Sequence, residues 1–294
     1  NSASLQLQAY PKRLVYELTN VCNLKCIMCG REDEKFAQTY FDMNSLYKIQ
    51  DILDKVTEVT LFGWGEPTMH PKFRQILEYL NKYPVKKYFV TNGMLLHKFA
   101  DDIFNFKVDV MAISLDGASS ETNNRIRVKG DFYKVIANIK EIVQRRNDLK
   151  VNYPYINFVM TLMKDNIEEL PKMVQLAHDI GIEEVKAVYL TAFNQEMSEK
   201  VLFNEIDKVR RIFSDTIACG EKNNITIKLP YIQGEDIAED SYHKTCYVGW
   251  RDFFVGSDGY VRPCQSTSMK LFHIDKYQSF KEMWNSIEFQ DFRK

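Results

Sequence analysis

Three cysteines, Cys22, Cys26 and Cys29, stand in the run Cys22-Asn-Leu-Lys-Cys26-Ile-Met-Cys29. Thiolates are the ligands of iron–sulfur clusters. A [4Fe-4S] cubane held by three of them keeps one iron open, and an open position is what separates a catalytic metal site from a structural one. All three lie within eight residues, so they reach one cluster without help from distant chain. The competing readings are three buried thiols or part of a zinc site. Zinc favours a fourth Cys or His close by, and His70 and His97 follow other predicted strands, which makes them weak candidates. The spacing favours the cluster.

Other residue groups carry weaker signals. Gly63-Trp64-Gly65-Glu66-Pro67 is a Gly-rich turn with a carboxylate in it. Thr91-Asn92-Gly93 reads equally well as a simple turn or as the wall of a pocket. Ser114-Leu115-Asp116-Gly117 is followed by Arg125 and Arg127, either of which is an exposed cation or a carboxylate fork. Glu17 is a candidate substrate contact or base. Cys246 and Cys264 bracket a second turn centred on Gly259 and are metal ligands or buried thiols. Cys219 stands apart from both groups, and a buried bystander is the default for such a residue.

The elements that must position these groups alternate strand and helix. Strands are predicted over 14–18, 58–62, 87–91, 108–115, 156–162 and 185–190 from their apolar, β-favouring runs. Helices are predicted over 44–55, 72–81, 95–105, 132–146 and 167–179, the last closed by Gly181. Repeated strand–helix units imply parallel strands with crossover helices. Six units are too few for a closed eight-stranded barrel, so the expected fold is α/β, a partial (β/α)6 TIM-like barrel. Chemistry in such folds sits at the C-terminal ends of the strands, and four of the suspect loops fall there. Beyond residue 190 the pattern changes. One long helix is predicted over 199–219, a short strand over 224–229, and an acidic linker over 234–241. A β-hairpin follows, with 250–255 and 260–262 as its strands and Gly259 in its turn, then a final helix near 280–289. The expected division is a core at 10–195, a connection at 196–241 and a small α+β domain at 242–294.

Bulk properties narrow the class. The 294 residues are 45% hydrophobic and 27% charged, with a formal net charge of -1, so no global field attracts nucleic acid or an anionic membrane. No run reaches the roughly 18 apolar residues of a membrane span. The first ten residues lack the parts of a signal peptide, and the chain does not open on Met. Clustered cysteines without a secretion signal read as metal ligands in a reducing, cytoplasmic compartment.

The CxxxCxxC loop after the first strand of a partial barrel resembles the signature of the radical S-adenosylmethionine (radical SAM) superfamily, over residues 14 to about 190. The resemblance implies that SAM chelates the open iron through its amino and carboxylate groups. Reductive cleavage of SAM then yields a 5′-deoxyadenosyl radical, which takes a hydrogen atom from substrate. It also implies roles for the other loops. Gly63, Trp64, Gly65 and Glu66 match a GGEP-like stretch that binds the SAM amino group, with Trp64 in place of its first Gly. Ser114 or Asp116 would serve the ribose or carboxylate, and Arg127, preferred to Arg125, the carboxylate. Asn92 would shape the SAM pocket.

Cys246 and Cys264 are similar to the opening of the SPASM or twitch extensions, which hold auxiliary iron–sulfur clusters. This sequence departs from that pattern, because no further cysteine follows Cys264. Cys219, His243 or substrate would have to complete the ligand set. Cys219 is alternatively a hydrogen-atom donor of the kind some radical SAM epimerases use. The expected activity is that of an oxidoreductase or epimerase fed by a flavodoxin- or ferredoxin-type electron donor. Its substrate is a small metabolite, sugar- or aminocyclitol-like, or a peptide. With 21 residues ahead of Cys22, a leader-binding domain is not expected there and the small molecule is preferred. The alternatives are a maturase acting on a ribosomally made peptide or partner protein, and a metal-binding module without SAM chemistry.

Overall fold

The computed structural model describes residues 5–33, 37–233, 246–267 and 269–294. The first unit runs from β1 (Arg13–Tyr16) through the cysteine loop, which contains β2 (Lys25–Cys26), to α1 (Met43–Lys48). β3 (Glu58–Leu61) leads to α2 (Phe73–Leu80), and β4 (Lys86–Thr91) to α3 (Ala100–Asn105). After β5 (Val110–Ser114) come α4 (Ser120–Ile126), β6 (Arg127–Val128) and α5 (Phe132–Asp148). β7 (Tyr155–Leu162) precedes α6 (Leu170–Ile180). β8 (Glu184–Tyr189) is followed by α7 (Gln195–Glu199), α8 (Ile206–Asn223) and β9 (Thr226–Lys228). The last part holds α9 (Val248–Arg251), β10 (Asp252–Val255), β11 (Tyr260–Arg262), β12 (Phe272–His273), α10 (Phe280–Trp284) and α11 (Ile287–Arg293).

The six expected strands β1, β3, β4, β5, β7 and β8 lie side by side and parallel, and β9 adds a seventh parallel strand beyond β8. Their continuous apolar character has a plain cause. A parallel sheet covered by helices is buried on both faces, and Met111, Ala112 and Ile113 of β5 are all fully buried. Helix α5 turns Val135, Ile139, Ile142 and Val143 to this core. Gly181, at φ 87°, closes α6 in the left-handed conformation that a side chain would oppose.

The C-terminal hairpin is not set apart from the barrel. β10 pairs in parallel with β1 on the free edge, and β11 and β12 follow antiparallel, so one ten-stranded sheet runs through the molecule. Asp252 anchors this junction by holding Arg13 at 2.5 Å and Arg251 at 2.8 Å.

Three local expectations are corrected. The single helix expected over 199–219 is two, because the Lys200 carbonyl accepts from Lys164 N instead of continuing a helix. The expected strand at 250–255 starts at Asp252, since the residues before it form α9. The final helix is broken at Ser286, whose extended backbone and side chain cap α11. The acidic stretch 234–241 and His243 lie outside the described residues.

Candidate active site

The loops after β1, β3, β4, β5 and β8 converge on a cavity of about 440 Å³ lined by Cys22, Cys26 and Cys29, by residues 63–66, and by Asn92, Ser114 and Arg127. The three thiols are close enough to perturb one another: Cys26 feels both Cys22 and Cys29. Burial pushes the Cys26 thiol up to about 12, opposed by the Arg127 guanidinium. Burial also raises Cys22, against the Leu24 N–H that points at its sulfur from 3.4 Å. A metal bound here would deprotonate these thiols outright. Among the described residues no three His, Cys, Asp or Glu side chains are arranged to hold a single metal ion. Three thiols around a shared cavity, with N–H donors directed at two of the sulfurs, fit a cluster with an open position.

Arg127 and Arg125 are placed differently by a pairing that the strand–helix pattern does not reveal. β2 and β6 form a separate two-stranded ribbon in which Cys26 stands opposite Arg127. Arg127 places NH1 3.9 Å from Cys26 Sγ and pairs with Asp116 at 2.7 Å, while its buried Nε has no hydrogen-bond partner. Arg125 instead donates to the Asp165 carbonyl, away from the cavity. Asp116 is fully buried, accepts from Thr161 N at 2.7 Å and does not line the cavity. It therefore orients Arg127 rather than reaching a cofactor itself, which corrects the expectation of a direct contact.

Glu66 is likewise an internal brace. Its Oε1 accepts from Thr68 N (3.2 Å), Thr68 Oγ1 (2.7 Å) and Thr91 Oγ1 (2.8 Å), and its Oε2 from Asn92 N (2.7 Å). Burial pushes its carboxyl up, and these four donors pull it back. The brace joins the β3 loop to the β4 turn. From there Asn92 Nδ2 reaches Asn23 Oδ1 at 2.8 Å and Cys22 Sγ at 3.8 Å. The two glycines flanking Trp64 are required by contact. A Cβ on Gly63 would lie 2.2 Å from Glu17 Cγ, and one on Gly65 would lie 2.2 Å from the Thr19 carbonyl oxygen.

Glu17 is a second brace, not a free base. Its Oε2 accepts from Trp64 N at 2.9 Å, and its Oε1 from Ser257 N and Ser257 Oγ at 3.2 and 2.5 Å. It ties the β3 loop to the turn after β10. A second cavity of about 740 Å³ opens here, lined by Glu17, Asn20, Thr39, Ser257 and Asp258 among others, and Gly30, Trp64, Phe193 and Ser266 belong to both cavities. Sequence reasoning missed Phe193, Ser257, Arg262 and Lys270. Their only signal was position, after β8 and around the hairpin.

Cys219 lies on α8 and lines neither cavity. Its Sγ donates to the Pro171 carbonyl at 3.5 Å and accepts from Asn223 Nδ2 at 3.3 Å. This placement removes the hydrogen-donor reading. Cys246 and Cys264 face each other closely enough that Cys264, raised first by burial, is raised further by Cys246. Gln265 and Ser266, next to Cys264, form part of the wall of the first cavity.

A model of the radical SAM superfamily matches residues 16–177, and one of the SPASM iron–sulfur cluster-binding domain matches residues 246–294. The chain belongs to the radical SAM superfamily and carries a SPASM domain. Its cofactors are accordingly a [4Fe-4S] cluster with SAM and auxiliary iron–sulfur clusters in the SPASM domain. The cofactor-modifying protein of the tungsten-containing aldehyde ferredoxin oxidoreductase of Pyrococcus furiosus is 24% identical over 86% of this chain and 70% of its own length. The antilisterial bacteriocin subtilosin biosynthesis protein AlbA of Bacillus subtilis is 25% identical over 92% of this chain and 59% of its own. Among solved structures, Streptococcus suis SuiB bound to S-adenosylmethionine superposes with a TM-score of 0.75 at 16% identity, covering 97% of this chain and 68% of that one. It shares the fold. No helix among the described residues is long and apolar enough to cross a membrane.

Proposed function

We propose that this protein is a radical SAM enzyme that modifies a peptide, with Cys22, Cys26 and Cys29 holding the radical-generating cluster. The observation that carries this reading is the pair of adjoining cavities at the C-terminal ends of the parallel strands, one lined by the thiols and one beside it of about 740 Å³. The larger volume is within the range of sites that enclose a substantial ligand. The bound cluster and SAM supply a carbon-centred radical able to take a hydrogen atom from an unactivated position. The chain's own residues position: Arg127, held by Asp116, offers its fork to the SAM carboxylate, Ser114 lines the same wall, and residues 63–65 present backbone to the SAM ammonium. Residues 10–195 form the radical-generating core, residues 196–241 the connection and residues 242–294 the auxiliary-cluster part, with Cys246 and Cys264 as two of its ligands.

A peptide is favoured over the small metabolite expected above. AlbA is a bacteriocin biosynthesis protein, and one SuiB structure is bound to the precursor peptide SuiA. The number of residues ahead of Cys22 carries no weight, because the chain spans 59% of AlbA and 70% of the Pyrococcus protein. An oxidation is favoured over an epimerisation, since Cys219 is remote from both cavities.

The test is anaerobic reconstitution with iron and sulfide, then SAM with dithionite or a flavodoxin-type donor. 5′-Deoxyadenosine should form with the wild type and not with Cys26→Ala. Peptides encoded beside the gene should change mass only with the wild type. About four irons would be held by the triad cluster, with further iron lost in Cys264→Ala. Absence of 5′-deoxyadenosine above the Cys26→Ala control would overturn the reading.

A further inference from the structure

The larger cavity has two chemically different walls. One is aromatic and is shared with the SAM cavity. Trp64 and Phe193 meet edge to face with ring centroids 5.3 Å apart, and Phe193 lies so close over Gly30 that a Cβ there would sit 2.7 Å from the ring. The other wall is charged and comes from the hairpin and the loop after it. Asp258 takes the Arg262 fork with both oxygens at 2.8 Å and Lys270 Nζ at 2.8 Å. Two cations thus share one carboxylate. The second acid of the cavity, Glu17, keeps its charge but is 4% exposed, with its oxygens turned to Trp64 N and Ser257, so the spare donors that a ligand meets are those of the two cations. Among the described residues, the only ion-pair partner given to either cation is Asp258.

These cations are also preorganised. Arg262 NH1 sits over Gly256, where a Cβ would lie 1.8 Å away, and also donates to the Tyr260 carbonyl. Lys270 rests over the Tyr260 ring at 4.3 Å. An ammonium has three donors, and Asp258 uses one. Positioned cations with spare donors favour an anionic group, at a reduced cost of ordering the side chains on binding.

We infer that the larger cavity is the substrate seat and takes a peptide segment bearing an acidic side chain, with Lys270 and Arg262 holding that carboxylate and the reacting residue against the Trp64–Phe193 wall. This deepens the peptide-modifying reading and rests on it. The aromatic wall is assigned to the reacting residue because Trp64, Phe193, Gly30 and Ser266 face the SAM cavity as well. The acidic residue then belongs near the modified position in the peptide, within the reach of one cavity.

The test is affinity selection of a random, end-blocked octapeptide library on the reconstituted protein with SAM, with the bound pool sequenced by mass spectrometry. End-blocking removes the terminal carboxylate, so any acidic preference belongs to side chains. Wild-type protein should enrich Asp and Glu by about two- to fivefold, the range of a partly exposed ion pair. Lys270→Glu should abolish that enrichment and favour Lys and Arg. Lys281→Glu makes the same change of net charge on the exposed side of α10 and should leave the wild-type preference intact. A bound pool with no acidic enrichment, or one equally acidic for wild type and Lys270→Glu, would overturn the inference, as would selective binding of free acidic metabolites with no peptide retained. 5′-Deoxyadenosine formation without peptide, measured on the same preparation, reports on the radical SAM reading separately.

Discussion

Glu66→Gln separates two roles that the sequence could not. If the carboxylate were the partner of the SAM ammonium, the substitution would weaken SAM binding and leave the chain's own stability unchanged. The structure assigns it to four internal donors instead, three on Oε1 and one on Oε2. A glutamine can keep its oxygen on the three-donor side, but its NH2 then faces Asn92 N–H. One charge-assisted hydrogen bond is lost, and a buried backbone donor is left opposite another donor. This single lost pairing costs about 1.5–3 kcal/mol. At roughly 2–4 °C per kcal/mol for a chain somewhat smaller than this one, Tm should fall by about 3–12 °C. The measurement is thermal unfolding of the chain before reconstitution, by circular dichroism, beside the SAM affinity of the reconstituted protein. A Tm within about 1 °C of wild type together with weakened SAM binding would refute the brace and restore the direct contact. A fall in Tm should come with poorer iron incorporation, because Asn92 connects the brace to Asn23 and Cys22.

Four further outcomes follow from the same geometry. Gly65→Ala places a Cβ 2.2 and 2.5 Å from the carbonyl oxygens of Thr19 and Val21. These are backbone atoms that cannot rotate away, so a loss of about 3 kcal/mol and little iron–sulfur absorbance are expected. Gly30→Ala has a side-chain ring, Phe193, as its nearest neighbour and should be milder in both measurements. Cys219→Ala should leave 5′-deoxyadenosine and product unchanged and cost less than about 1.5 kcal/mol in urea unfolding; a diverted product would contradict its placement on α8. Burial would raise the Asp258 carboxyl, but Arg262 and Lys270 outweigh it and hold the group well below the usual range. A depressed folded-state pKa contributes stability above the unfolded value, about 3.9, that disappears as pH falls toward the folded value. The urea midpoint of the wild type should therefore exceed that of Asp258→Asn at pH 7, and the gap should close as pH drops below about 4. A gap that did not shrink between pH 4 and pH 2 would argue against the ion pair.

The class of chemistry was legible because its signals are local. Three thiols in one short loop need no tertiary information to imply a shared cluster, and apolar runs alternating with helical periods imply parallel strands whatever their order. The position of Arg127 relative to Cys26, by contrast, depends on a two-residue ribbon between segments about 100 residues apart in the chain, too short to have a period of its own. The acids illustrate the same limit. From the sequence, Glu17, Glu66 and Asp116 are candidates to touch substrate or cofactor, because a sequence shows a carboxylate but not where its hydrogen bonds go. Each has internal donors close at hand, and burial makes satisfying those bonds the dominant demand on the side chain.

The sequence by itself determined the cluster-binding loop and the strand–helix alternation, because each depends on neighbours within a few residues, whereas the glycines beside Trp64 answer to Glu17 and Thr19 more than 40 residues away. Only the tertiary structure decided that β10 would close onto the free edge of β1. That pairing brings Ser257 onto Glu17, and the charged turn at Asp258 and Arg262 into the wall of a cavity beside the thiols. The physical reason is that a sheet edge accepts any strand with unpaired backbone groups. Which strand arrives, and what side chains it carries to the site, is settled by the packing of the whole chain.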